Sequence, residues 1–198
     1  MPSQIRERHS WKHPSDRLEK HSPVPKTDFR RVHHRLPPEE YMGRKWFFVT
    51  MCCHNRAPVF SSAVCATWVL EFLRAESILH EFLIDAYCAM PDHLHFLAFG
   101  KSVTSDLLKF SQSFKQKTTF RYLETKGAKL WQDNFYDHIL RSYEDPTRVA
   151  SYTWLNPVRK GLCKEFQEYP HSGSFTRPWK TPIAASWMPP WKRERMPA

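Results

Sequence analysis

The sequence predicts an α+β domain of the ferredoxin-like split βαβ type: a four-stranded antiparallel sheet with helices on one face and one more helix added near the C-terminal end. Three observations carry this. Segments of strand character and segments of helical spacing follow one another in the order β-α-β-β-α-β-α. Two of the strands are separated only by Pro91-Asp92, a tight hairpin. The longest helical segment stops at Gly127, a residue suited to the left-handed position that closes a helix.

Each element has its own local reason. "RKWFFVTMCCHN" from Arg44 has the aromatic and β-branched content of a strand. "SSAVCATWVLEFLRAESILHEFL" opens on serines and spaces Val64, Trp68, Phe72 and Leu79 like the buried stripe of a helix. "LIDAYCAM" and "HLHFLAF" form the hairpin. "SVTSDLLKFSQSFKQKTTFRYLETKG" predicts the long helix, with Leu107, Phe110, Phe114 and Phe120 on one side and Lys109, Lys115, Lys117 and Arg121 on the other. "LWQDNFYDHILRS" supplies the fourth strand. "EDPTRVASYTWLN" supplies the last helix, with Asp145 as N-cap and Pro146 at its first position.

Composition bounds the organisation. Of the 16 prolines, Pro2, Pro14, Pro23, Pro25, Pro37 and Pro38 precede residue 39, and Pro170, Pro178, Pro182, Pro189, Pro190 and Pro197 follow residue 169. This divides the chain into a basic, His- and Pro-rich arm over 1–43, expected to be flexible, a folded domain over 44–174, and a basic Trp- and Pro-bearing tail over 175–198. The tail's Trp179, Trp187 and Trp191 either pack on the body or stack on bases. A net charge of +10 favours a polyanionic partner, nucleic acid first, although a basic solvated surface gives the same sum. The five cysteines are odd in number and form no C-x-x-C, which fits a reducing compartment. The first residues contain no apolar signal region and no stretch approaches eighteen apolar residues, so a soluble, intracellular chain without a membrane span is expected.

The chemistry starts from "CAMPDHLHFLAFG". Residues i and i+2 of a strand share a face, so His93 and His95 project side by side while Leu94 and Phe96 point into the core. A bare H-x-H arises by chance on the order of 0.5 times in a chain this rich in histidine, so the context carries the weight. Two imidazoles side by side on an apolar strand cost desolvation unless something binds them, and a divalent metal is the natural ligand. In the last helix Tyr152 and Asn156 lie four apart on one face, with Pro157 next in the chain. A tyrosine near a metal-held phosphodiester could attack phosphorus and form a phosphotyrosine; the bland alternative is a half-buried tyrosine with a capping asparagine.

"MPDHLHFL" resembles the His-hydrophobic-His (HUH) motif, and "YTWLNPVRKGL" resembles the tyrosine helix of the single-tyrosine HUH transposases, the IS200-like superfamily. The nearer resemblance is to REP-associated tyrosine transposases, in which a pattern like "LWQDNFYDHILR" lies between the two motifs. It extends from "RKWFFVTMCCHNRAPVF" to "EYPHSGS", over residues 44–174. The resemblance implies the HUH endonuclease fold and a metal held by His93, His95 and Asn156, with Tyr152 as the nucleophile forming a 5′-phosphotyrosine. It implies Mg²⁺ or Mn²⁺ as the cofactor, and imidazole ligands favour Mn²⁺. The implied substrate is single-stranded DNA at palindromic REP hairpins, cut and rejoined in the bacterial cytoplasm, at the nucleoid. Mobile relatives commonly carry Gln at the position of Asn156 and act as dimers, whereas the REP-associated branch includes monomers, so monomer and homodimer both stand. Asp92 occupies a position where Asn is frequent.

DNA contacts are expected from Lys109, Lys115, Lys117 and Arg121 on the long helix and from Arg141 and Arg159 beside the site. His138 is either a phosphate contact or structural, and Trp131 belongs to the core. Two other functions compete. A non-catalytic domain could hold single-stranded DNA or RNA hairpins on its sheet, which calls for stacking aromatics on the histidine face. A zinc hydrolase needs a further ligand at a familiar spacing, and no H-E-x-x-H occurs.

Overall fold

A computed structural model describes residues 36–177 and 189–193. The tail's Trp179 and Trp187, and most of the predicted N-terminal arm, lie outside the described residues. The strands are β1 (Trp46–Cys52), β2 (Phe82–Met90), β3 (His93–Gly100), β4 (Tyr136–Ile139) and β5 (Ser172–Gly173). The main helices are α1 (Ala63–Leu79), α2 (Leu107–Lys126) and α3 (Pro146–Trp154), followed by the short turns α4 (Asn156–Arg159) and α5 (Pro190–Arg193). The sheet order is β4-β1-β3-β2-β5, antiparallel throughout, so the predicted split βαβ core is present. The sheet has five strands rather than four. Ser172 and Gly173 add themselves to the β2 edge opposite Cys88 and Tyr87, a two-residue pairing too short to leave a periodic signal.

Strand alternation splits the interior into two layers. Phe47, Val49 and Met51 of β1 and Leu94, Phe96 and Ala98 of β3 pack under α1 and α2 with Val69, Leu73, Phe110 and Phe114. Phe48 of β1 and Leu97 of β3 face the other way and pack with Val149, Tyr152 and Trp154 of α3. Each fully buried large side chain of this kind contributes about 2 kcal/mol of transfer free energy. The first two helices therefore lie on one face and the tyrosine helix on the other.

Several local expectations need correction. In α1, Val64 and Leu79 are 74% and 65% exposed, and the buried side is Cys65, Ala66, Trp68, Val69, Leu73, Glu76 and Ser77. The sheet is met along a line one residue round from the predicted stripe, and the polar Glu76 sits in it. In α2, Leu107, Phe110 and Phe114 are buried as expected, but Phe120 is 64% exposed because it lies on the outer side of the helix: Thr118 before it is fully buried and Tyr122 after it still packs on the core. Asp106 caps that helix through Leu108 N and Lys109 N, and Gly127 closes it at φ 64°. The fourth strand is shorter than its segment. Trp131 lies before it, buried in the first layer, and donates to Thr118 Oγ1 at 2.8 Å. Tyr41, within the segment assigned to the arm, is also buried in this core.

Two polar clusters fasten the layers. Glu76 on α1 accepts from Lys117 Nζ at 2.5 Å and Ser113 Oγ at 2.6 Å on α2. On β2, an irregularity between Ile84 and Ala86 turns the buried Asp85 toward the chain after β5, where it accepts from Thr176 Oγ1 and from Arg177 Nε and Nη2.

Burial alone would raise the Glu76 carboxyl, but the Lys117 and Ser113 bonds and the Lys117 charge outweigh it and hold the group below its ordinary value of 4.5. A group depressed in the folded state stabilises above its unfolded pKa and loses that contribution as pH falls through the folded one. Glu76→Gln is expected to cost about 1–3 kcal/mol at pH 7. In denaturant titrations the gap to the native chain should narrow as the pH is lowered below about 4.5.

Candidate active site

His93 and His95 open β3 on the face shared with α3 because their neighbours Leu94 and Phe96 are taken by the first layer. Their rings stand nearly perpendicular, and the two Nε2 atoms lie 2.9 Å apart. Each outer nitrogen is engaged. His93 Nδ1 meets Asp92 Oδ1 at 2.5 Å, and His95 Nδ1 meets Thr50 Oγ1 at 2.8 Å. Thr50 stands directly across from His95 in the β1–β3 ladder. Phe48, also on this face, stacks on the His95 ring at 5.5 Å between centroids. The Asp92 carboxyl sits below its ordinary range: partial burial opposes this, and the His93 bond with the His93 and Arg56 charges prevails.

α3 brings the tyrosine over the same face. Asp145 caps it through Thr147 N, and Pro146 occupies its first turn, as the sequence predicts. The helix does not run on to Asn156. It breaks at Leu155 and restarts as α4 with Pro157 in its first turn, since proline cannot donate within a continuing helix. Tyr152 is 8% exposed and packs edge-on against Phe48. Burial raises its hydroxyl above the ordinary tyrosine value, with Arg159 pulling the other way. Arg159 lies 4.5 Å over the Tyr152 ring and donates to the Tyr152 carbonyl at 2.9 Å. Asn156 Nδ2 donates to the carbonyls of Tyr152 and Thr153, which turns its Oδ1 to serve as an acceptor.

His93, His95, Tyr152 and Asn156 line one cleft of about 740 Å³, together with Thr50, Arg56 and Lys160. The donor set suits a divalent cation. The ionised Asp92 can only accept, so a neutral His93 carries its proton on Nδ1 and offers a bare Nε2 toward the Nε2 of His95; one shared proton or one cation satisfies that pair. The Asn156 amide oxygen is a third, harder donor. Among the described residues no three His, Cys, Asp or Glu side chains cluster as a metal-binding group.

The cations named from sequence are placed differently. Lys109, Lys115, Lys117 and Arg121 stand on α2, in the layer across the sheet from the cleft. Lys115 Nζ donates to the carbonyls of Gln132 and Asp133, Lys117 pairs with Glu76, and the Arg121 guanidinium lies over Trp68. Arg141 is exposed and reaches Tyr143, outside the cleft lining. His138 donates to Glu144 at 2.9 Å and stacks on Trp191 of the tail at 3.7 Å, a structural setting. Thr50, Arg56 and Lys160 were not picked out from sequence. Thr50 becomes visible only through strand register, and Lys160 only through the break after Trp154.

The IS200-like transposase family model matches residues 45–145. A REP-associated tyrosine transposase of Escherichia coli K12 is 24% identical over 135 residues, covering 66% of this chain and 76% of its own. A Haemophilus influenzae relative provisionally named for the same group is 30% identical over 113 residues, covering 50% of this chain and 61% of its own. A REP-associated tyrosine transposase solved bound to a REP hairpin superposes with a TM-score of 0.59 at 21% identity, over 70% of this chain and 80% of that one. Matched over half its length by the family model, with the sheet order and the paired histidines in place, the chain belongs to the IS200-like transposases.

Proposed function

We propose that this protein is a transposase-type single-stranded DNA endonuclease and strand transferase acting at palindromic, REP-type hairpins through Tyr152. The observation that carries the reading is the meeting of His93, His95, Asn156 and Tyr152 in one cleft although they come from separate elements, β3 and the α3–α4 segment. His93 Nε2, His95 Nε2 and Asn156 Oδ1 are the atoms that would hold Mg²⁺ or Mn²⁺, and a divalent cation bound there would stabilise negative charge developing on the phosphodiester. Tyr152 Oη attacks phosphorus and its proton passes to solvent, while the bond from phosphorus to the 3′ oxygen breaks and that oxygen takes a proton from solvent to leave a 3′-hydroxyl strand. The 5′-phosphotyrosine keeps the energy of the broken bond, so attack by another 3′-hydroxyl rejoins DNA and restores the tyrosine.

The remaining residues divide by position. Arg159 holds the Tyr152 backbone and ring, and so orients the nucleophile rather than the DNA. Lys160, in the cleft wall, is placed for a backbone phosphate, whereas the α2 cations face away from the chemistry. The REP hairpin bound to the solved neighbour motivates the choice of substrate.

Incubation of the protein with Mn²⁺ and labelled palindromic single strands should yield a covalent adduct mapping to Tyr152. Tyr152→Phe should abolish the adduct and leave hairpin affinity within a few-fold, and chelator should have the same effect on native protein. Hairpin binding by active, Mn²⁺-loaded protein with no adduct would instead indicate a non-catalytic hairpin-binding domain. Arg159→Ala should lower the cleavage rate by about 10-fold or more through loss of its bond and ring contact, with the Lys variant recovering part of it. Single-turnover rates at saturating DNA would test this.

A further inference from the structure

We infer that Asp92 is a positioning residue for His93, locked in place by Arg56, and that this Arg56–Asp92–His93 chain sets the cation affinity of the site. The inference rests on the metal-holding role proposed above for the histidine pair. Asp92 Oδ1 lies 2.5 Å from His93 Nδ1, and its other oxygen, Oδ2, accepts from Arg56 Nη1 at 3.2 Å. A carboxylate on the outer nitrogen of a ligand imidazole fixes the tautomer, fixes the ring plane and raises the basicity of the inner nitrogen. The two histidines are thereby made unequal, because the outer nitrogen of His95 meets the Thr50 hydroxyl instead of a carboxylate.

The backbone is built around this contact. Asn55 and Arg56 adopt left-handed φ values of 51° and 56° as the central pair of a turn that Ala57 N and His54 O close at 3.1 Å. Asn suits such a position, so the conformational cost falls on Arg56, and the surroundings must offset it. The same segment clamps the hairpin turn: Cys53 N donates to Asp92 O and Phe60 N to Pro91 O, each at 2.9 Å. An exposed Arg–Asp pair alone would contribute little. Here the pair ends on a buried-side imidazole whose inner nitrogen faces the cleft, so its consequence is the orientation of a ligand.

Nitrogen-15 spectra of the metal-free protein above pH 8, followed by Mn²⁺ titration calorimetry, test this without cleavage. Native His93 should carry its proton on Nδ1. Asp92→Ala should move it toward the Nε2 form that free imidazole prefers and weaken Mn²⁺ binding by about 10–100-fold. Asp92→Asn, whose amide oxygen can still accept from Nδ1, should keep the native tautomer and recover most of the affinity; its unfolding midpoint checks that the turn survives. An Asp92→Ala protein that keeps both the native tautomer and the native Mn²⁺ affinity would overturn the inference. Failure of the native protein to bind Mn²⁺ would defeat the cation's part in both readings, and the spectrum would still report whether Asp92 sets the tautomer.

Discussion

Burial of Leu94, Phe96 and Ala98 beneath α1 and α2 sets the rotation of β3, and the rest of the site depends on it. A strand has two faces and a period of two, so seating these three side chains in the first layer leaves His93 and His95 no direction but the other. A slip of one residue would drive both imidazoles into the apolar layer and expose Phe96. Pairing with β1 and β2 along nearly the whole strand opposes that slip, and it also delivers Thr50 beside His95. The position of the two histidines is thus a consequence of hydrophobic packing on the opposite side of the sheet.

The second layer is smaller and does a different job. α3 rests on Phe48, Ala86 and Leu97 through Val149, Tyr152 and Trp154, and Trp154 Nε1 donates to Gly173 O on the edge strand β5. Asp85 holds the chain just beyond that strand, so the edge that receives Trp154 is itself fastened. The break at Leu155 then lets α4 turn Asn156 and Arg159 back against Tyr152. Tyr152 and the histidine pair come from separate elements, and the shared sheet face is what keeps them in one cleft.

Net positive charge is a poor guide to where DNA would lie. With 30 Lys and Arg against 20 Asp and Glu the chain is plainly basic, yet Lys115, Lys117 and Arg177 act inside the fold, closing a loop, a helix pair and the β5 region. A cation placed next to a carbonyl or a desolvated carboxylate is part of the scaffold, because leaving that partner unsatisfied would cost more than a surface charge gains. The cations at the cleft are Arg56 and Lys160, and of these Arg56 is already turned to Asp92.

The order of elements, the hairpin at Pro91-Asp92, both helix caps and the shared face of His93 and His95 were legible in the sequence, since each follows from contacts within a few residues. Tyr152 and Asn156 were legible as a pair for the same reason, and their link to the histidines came from family resemblance rather than spacing. What only the tertiary structure decided is everything that spans elements: which lines of α1 and α2 meet the sheet, that Thr50 and Asp92 hold the outer nitrogens, and that α2 with its cations lies across the sheet from the cleft. Local sequence sets dihedral preference and periodicity. The rotation of a helix against its partner and the pairing of residues 45 positions apart, such as Thr50 and His95, are set by the best joint packing of all the elements, which no single segment encodes.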